Sequence, residues 1–248
     1  MTDHTDIRPT WVDIDTAAYA RNIEAVRRLL PAGCGVIAVL KADAYGHGAV
    51  QLAKQCTPDR VSMIATALIE EALELRRSNI TLPLLVLGPL SERQIADAIA
   101  NELTPGIVGP EELEAVAHVG REIAIHLKLD TGMGRMGTVP GELPRVIEIL
   151  KSAPFIRVDA FYTHFADSGG NNDEHTQMQI DTFRNMLREL AAAGIRAPKH
   201  HLANSAATLR GIGIADDVRI GLALLGAEPL ESGGSKLEPV MRWRTEIA

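Results

Sequence analysis

Val36-Ile-Ala-Val-Leu-Lys41-Ala-Asp-Ala-Tyr45-Gly46-His47-Gly48 is the most informative stretch of the chain. From Gly35 to Lys41 it is apolar without polar alternation, which predicts a strand of a parallel sheet covered on both faces. The run stops on a lysine. Two nearby glycines, Gly46 and Gly48, then let the backbone turn tightly. A lysine ending such a strand stands on the C-terminal rim, where parallel α/β proteins gather their chemistry. Partial desolvation there lowers an amine's pKa and makes it a nucleophile toward carbonyls.

Similar apolar runs recur on both sides. Strands are expected at Val61–Ala65, Leu82–Gly88, Thr104–Val108, Glu122–Asp130, Ile156–His164, His200–Ala203 and Val218–Leu225. Amphipathic stretches lie between them: Thr16–Leu30, Leu68–Arg77, Glu92–Ala100, Pro110–His118, Glu142–Lys151 and His175–Ala193. Ser91 before Glu92, and Pro110 before two glutamates, mark helix starts. Eight strands with helices between them predict a (β/α)8 barrel of the TIM type, with a doubly wound open sheet as the alternative. Thr10–Ile14 reads as an extra strand before the first helix. Gly226–Lys236 reads as a linker, and Leu237–Ala248 as extended.

The 248 residues suffice for one barrel-sized domain. The formal net charge of −7 offers nothing global to nucleic acid or anionic lipid, so a phosphate needs a local site. Cys34 and Cys56 make no disulfide framework and lack metal-ligand spacing. His47, His200 and His201 lack a matching carboxylate or cysteine set, so no metal is expected. The N-terminus shows no signal-peptide pattern and no window is long enough to span a membrane, so a cytoplasmic protein is expected.

The segment around Lys41 resembles the pyridoxal phosphate attachment segment of alanine racemases. Four further segments continue that resemblance in order: Ile125 to Gly137, Tyr162 to Ala166, His201 to Ala207 and Arg219 to Leu222. Each is short, but five in order, each at or near an expected strand end, make a specific signal. The resemblance implies a pyridoxal-phosphate-dependent isomerase that interconverts L- and D-alanine by two-base proton transfer, supplying D-alanine as a peptidoglycan precursor. It implies a homodimer for the full-length protein.

The resemblance also implies roles. Lys41 would carry the cofactor as a Schiff base and act as one catalytic base. Tyr45, Ser205 and the backbone amides of Gly221 and Leu222 would hold its phosphate, and Asn204 would stand nearby. Arg219 would face the pyridine nitrogen, with His164 orienting it. Arg135 would contact the cofactor's phenolic oxygen and the substrate carboxylate. Lys128 is a candidate for carboxylation, which would turn a repulsive pair with Arg135 into an attractive one.

Alanine racemases carry a C-terminal β domain whose tyrosine supplies the second base. The expectation is that residues 1–15 pack on that domain, that 16–226 form the barrel, and that 227–248 are a linker and its start. These residues by themselves would then racemise alanine poorly. The alternatives left open are a single-domain pyridoxal phosphate carrier without turnover, and racemisation of another amino acid.

Overall fold

The computed structural model describes residues 9–170, 173–227 and 237–246. The linker expected over Gly226–Lys236 falls mostly outside them. Eight parallel strands form a nearly closed barrel: β2 Gly35–Val39, β3 Met63–Thr66, β4 Leu84–Val86, β5 Leu103–Ile107, β6 Ile123–Lys128, β7 Ile156–Tyr162, β8 Lys199–His201 and β9 Asp217–Ile220. Sequential strands pair from β2 to β8, and β9 returns to pair with β2. The gap between β8 and β9 is bridged by Asp216 N–H to His200 O at 3.1 Å and Arg219 N–H to Ala203 O at 2.9 Å. This is the (β/α)8 architecture, and no doubly wound reversal of strand order occurs.

The large core lies between the strands and the outer helices. Ile23, Leu52, Leu75, Ile95, Leu113, Val146, Phe183 and Leu190 from the helices pack there on the outward strand residues. The barrel's interior is divided. Near β2 to β4 it is apolar, filled by Ile37, Val39, Ala65 and Leu85. Around β6 to β9 it holds buried His126, Lys128, Tyr162, His201 and Arg219. That polar half is where the strands' cost in desolvation concentrates, so it is where a functional reason is needed.

Helices sit close to expectation at Thr16–Arg27, Ile69–Arg77, Glu92–Ala100, Pro110–Val119, Leu143–Ser152 and Asp173–Ala192. Ser91 caps its helix by accepting from Gln94 N–H, and Asp15 caps Thr16–Arg27 by accepting from Ala18 N–H. Short helices at Ala49–Ala53 and Ser205–Leu209 were not anticipated. The strands are mostly shorter than their apolar runs. Lys41, Gly88, Asp130 and His164 lie past the ladders, in the turns at the rim. Val218–Leu225 divides at Gly221 into β9 and a 3-10 turn, Leu222–Leu225.

Outside the barrel, β1 Thr10–Ile14 pairs antiparallel with β10 Met241–Thr245. The ribbon is tied back by Asp15 N–H to Val240 O at 2.8 Å. Asn22 fixes it as well, donating to Leu224 O and Glu238 O and accepting from Glu238 N–H.

Candidate active site

Lys41 follows β2 by two residues and begins a turn in which Ala42, Asp43, Ala44 and Tyr45 all take left-handed φ values of 51° to 55°. Each such residue costs about 1–2 kcal/mol when it carries a Cβ, so the turn persists only because its surroundings hold it. Glu71 Oε1 accepts from Ala42 N–H at 2.6 Å, and Ala44 N–H donates to Leu40 O at 2.8 Å. Asp43 closes the far end by accepting from Ala49 N–H at 2.6 Å. The turn lifts Tyr45 over the rim and sets Lys41 Nζ 5.8 Å from its ring centre.

Rim loops are stitched in neighbouring pairs by side chains of the following helices. Glu71 also accepts from Ala67 N–H and Leu68 N–H, joining the loop after β3 to the one after β2. Glu112 accepts from Val108 N–H and Leu90 N–H, joining the loops after β5 and β4. Gln179 accepts from Ala166 N–H and donates to His164 O, joining the loop after β7 to Thr131 after β6. Asp130 accepts from Gly132, Met133 and Gly134 N–H, which ties down the loop that presents Arg135.

One cavity of about 450 Å3 opens at this rim. It brings together every residue singled out from the sequence: Lys41, Tyr45, Lys128, Arg135, His164, Asn204, Ser205, Arg219, Gly221 and Leu222. Four cations line it (Lys41, Lys128, Arg135 and Arg219) and no carboxylate does, among the described residues. In a chain of net charge −7, this is a local concentration of positive charge.

Arg219 is the most constrained member. It is buried, with one terminal nitrogen donating to His201 O and Nδ1. The other donates to Thr163 O, Leu202 O and His164 Nδ1. Its Nε makes no hydrogen bond to the described residues. Arginine cannot accept, so both imidazole Nδ1 atoms must, and each ring carries its proton on Nε2. His201 then donates from Nε2 to His126 Nδ1 at 3.0 Å. Burial, then the Arg219 charge, pushes His164 down to about 3. Burial pushes His126 to about 4, and drives His201 well below the ordinary histidine range. All three rings are neutral at pH 7. Burial lowers Arg219 to about 10, which still leaves it a cation.

Lys128 is pushed down to about 8, by burial first and Arg135 next. Tyr162 stacks on His201 with ring centres 4.7 Å apart, and its buried hydroxyl has no hydrogen-bond partner among the described residues. Ser205 Oγ accepts from Gly221 N–H at 3.1 Å and Ala223 N–H at 3.3 Å. The Gly221 amide is therefore already engaged. Leu222 N–H starts the 3-10 turn and has no partner within it. Asn204 caps Ser205–Leu209, its Oδ1 accepting from Ala207 N–H and Ser168 Oγ.

Pattern reading did not single out His126, His201, Tyr162, Glu71 or Gln179. His126 shares the inward parity of Lys128 two residues on, which is a usable signal. His201, which lacks a metal-ligand set around it, accepts from Arg219. Among the described residues no three metal-ligating side chains cluster, and no helix is long and apolar enough to cross a membrane.

Residues 14–229 match the family model for the N-terminal domain of alanine racemase. The alanine racemase of Synechocystis sp. is 36% identical over 245 residues, covering 96% of this chain and 66% of that protein. That of Symbiobacterium thermophilum is 35% identical, covering 99% and 67%. Among solved structures, alanine racemase from Corynebacterium glutamicum superposes with a TM-score of 0.92 at 28% identity, covering 98% of this chain and 70% of that one. The Bacillus anthracis enzyme with bound L-Ala-P gives 0.89 at 34% identity, covering 96% and 64%. The chain thus spans about two thirds of the length of the relatives it matches.

Proposed function

This chain belongs to the alanine racemase family, and from that premise we propose that its rim cavity holds pyridoxal phosphate on Lys41 and moves the α-proton of alanine. The observation that carries the reading is the lining itself: an amine, a hydroxyl-and-amide cradle and three further cations, with no carboxylate among the described residues. The donor set fits the cofactor. Tyr45 and Ser205 hydroxyls flank Gly221, where a Cβ would stand 2.9 Å from the tyrosine oxygen. Neutral donors at such a turn suit a phosphate. The Arg219 Nε suits a ring nitrogen, and the Lys41 amine an aldehyde.

When bound, the cofactor supplies an electron sink that stabilises charge at the substrate α-carbon. The protein's own residues do the rest. Lys41, once its amine is free, takes or returns a proton on one face of that carbon. Arg135 pairs with the substrate carboxylate and holds it. Arg219 can only donate, so it would hold a pyridine nitrogen as an acceptor and would keep the sink weak. Neutral His164 fixes the guanidinium plane. Lys128, as a carbamate, would give Arg135 an anionic partner.

Racemisation by two bases needs a second proton carrier on the opposite face of the α-carbon, and by resemblance the working form is a dimer. The test is to incubate the chain with pyridoxal phosphate and L-alanine in D2O. Deuterium is expected to enter at the α-carbon, and K41A to abolish it. Deuterium uptake that survives K41A would contradict the role given to Lys41. Cofactor uptake without any α-exchange would favour the carrier alternative.

A further inference from the structure

Glu71 does more than end its own helix. A capping role needs one carboxylate oxygen, and Oε2 fulfils it by accepting from Ala67 N–H at 2.8 Å and Leu68 N–H at 3.0 Å. Oε1 crosses 29 residues of sequence to accept from Ala42 N–H at 2.6 Å. Ala42 is the residue after Lys41 and the first of the four left-handed residues. No lysine or arginine pairs with Glu71 among the described residues, so three backbone N–H groups meet its charge. Charge-assisted bonds of this kind are roughly twice as strong as neutral ones. A left-handed turn built from Ala, Asp, Ala and Tyr is uphill on its own, and the bond at Ala42 is what anchors its start.

We propose that Glu71 is a positioning residue for Lys41: its carboxylate clamps the peptide leaving Lys41 to the loop after β3, and so fixes where the amine stands in the cavity. The proposal rests on the reading of Lys41 as the cofactor-bearing lysine. A glutamine at position 71 separates the two functions. Its carbonyl oxygen can still accept from Ala67 and Leu68, but its amide nitrogen then faces Ala42 N–H, donor against donor.

The test compares the parent chain with E71Q and E71A. Four quantities are measured: hydrogen exchange at the Ala42 amide, the pH profile for acetylation of Lys41 by acetic anhydride, uptake of pyridoxal phosphate, and the unfolding midpoint. In E71Q, Ala42 exchange should quicken roughly tenfold or more. The Lys41 acetylation profile should change, and affinity for pyridoxal phosphate should fall roughly tenfold. Its unfolding midpoint should stay near the parent's. E71A should show the same changes at Ala42 and Lys41 together with a lower midpoint. Unchanged Ala42 exchange in E71Q overturns the clamp, and faster exchange with unaltered Lys41 chemistry overturns the positioning role. If the parent chain takes up no pyridoxal phosphate, the proposed function fails. Exchange and acetylation then still decide the role of Glu71.

Discussion

A Cβ built on Gly221 would stand 2.9 Å from the hydroxyl of Tyr45. The turn after β9 and the left-handed turn after β2 therefore meet only because residue 221 has no side chain. In G221A, Tyr45 must swing aside, and it can, being 36% exposed. Stability should change by no more than about 0.5 kcal/mol. Affinity for pyridoxal phosphate should drop roughly tenfold as the hydroxyl leaves the cradle. Denaturant titration and cofactor titration of the same protein check both halves.

Arg219 binds three buried carbonyls, those of Thr163, His201 and Leu202. R219M keeps much of the side chain's bulk and orphans all three. At about 1–3 kcal/mol for an unsatisfied buried acceptor, without full additivity, the loss should be about 3–5 kcal/mol. R219K retains some donors and should lose less. Urea midpoints measure this, and a loss below about 1 kcal/mol for R219M would show that water replaces the guanidinium at little cost.

The buried histidines set a pH dependence of stability. His164 and His126 hold folded values of about 3 and about 4, and His201 lies well below the ordinary value of 6.5. Their folded pKa values lie below the unfolded one. Their contribution is therefore full above pH 6.5 and is lost as pH falls toward the folded values, by at most about 1.4 kcal/mol per pH unit for each ring. Glu112 acts in the opposite sense. Burial raises it to about 7 from 4.5, so its contribution is present below pH 4.5 and is lost as pH rises through 7. Three histidines against one glutamate leave an uptake of about two protons on unfolding near pH 5.5. Urea midpoints between pH 7.5 and 5 should fall accordingly, and a flat profile would contradict neutral rings in the folded barrel.

Lys128, lowered to about 8, holds a substantial share of free amine at slightly alkaline pH. Free amine is the form that adds carbon dioxide, releasing one proton and leaving a carbamate. Carbon-labelled bicarbonate at pH 8 should give a carbamate resonance that disappears in K128R. Its absence from the parent protein would leave Arg135 facing an uncapped cation.

Much of the barrel was legible because burial on both faces leaves long Val-, Ile- and Leu-rich runs, and Lys41 stood out by ending one of them. The site's principal residues were legible through family resemblance, since a lone Lys41 or His164 carries little by itself. The left-handed turn was not. Ala42 and Ala44 favour right-handed helices, and only the contacts of Glu71 and Asp43 override that preference. Glu71 and Glu112 each sit at the third position of a helix and read as ordinary caps. Their reach to the neighbouring loop is a tertiary fact that no local pattern carries. The apolar run of Val218–Leu225 hides the break at Gly221, which only the folded structure reveals.

The most direct test is borohydride reduction of the chain incubated with pyridoxal phosphate, followed by peptide mapping. The account predicts a single stable label on Lys41 that R219M and G221A weaken. A label spread over surface lysines, or none, would contradict it.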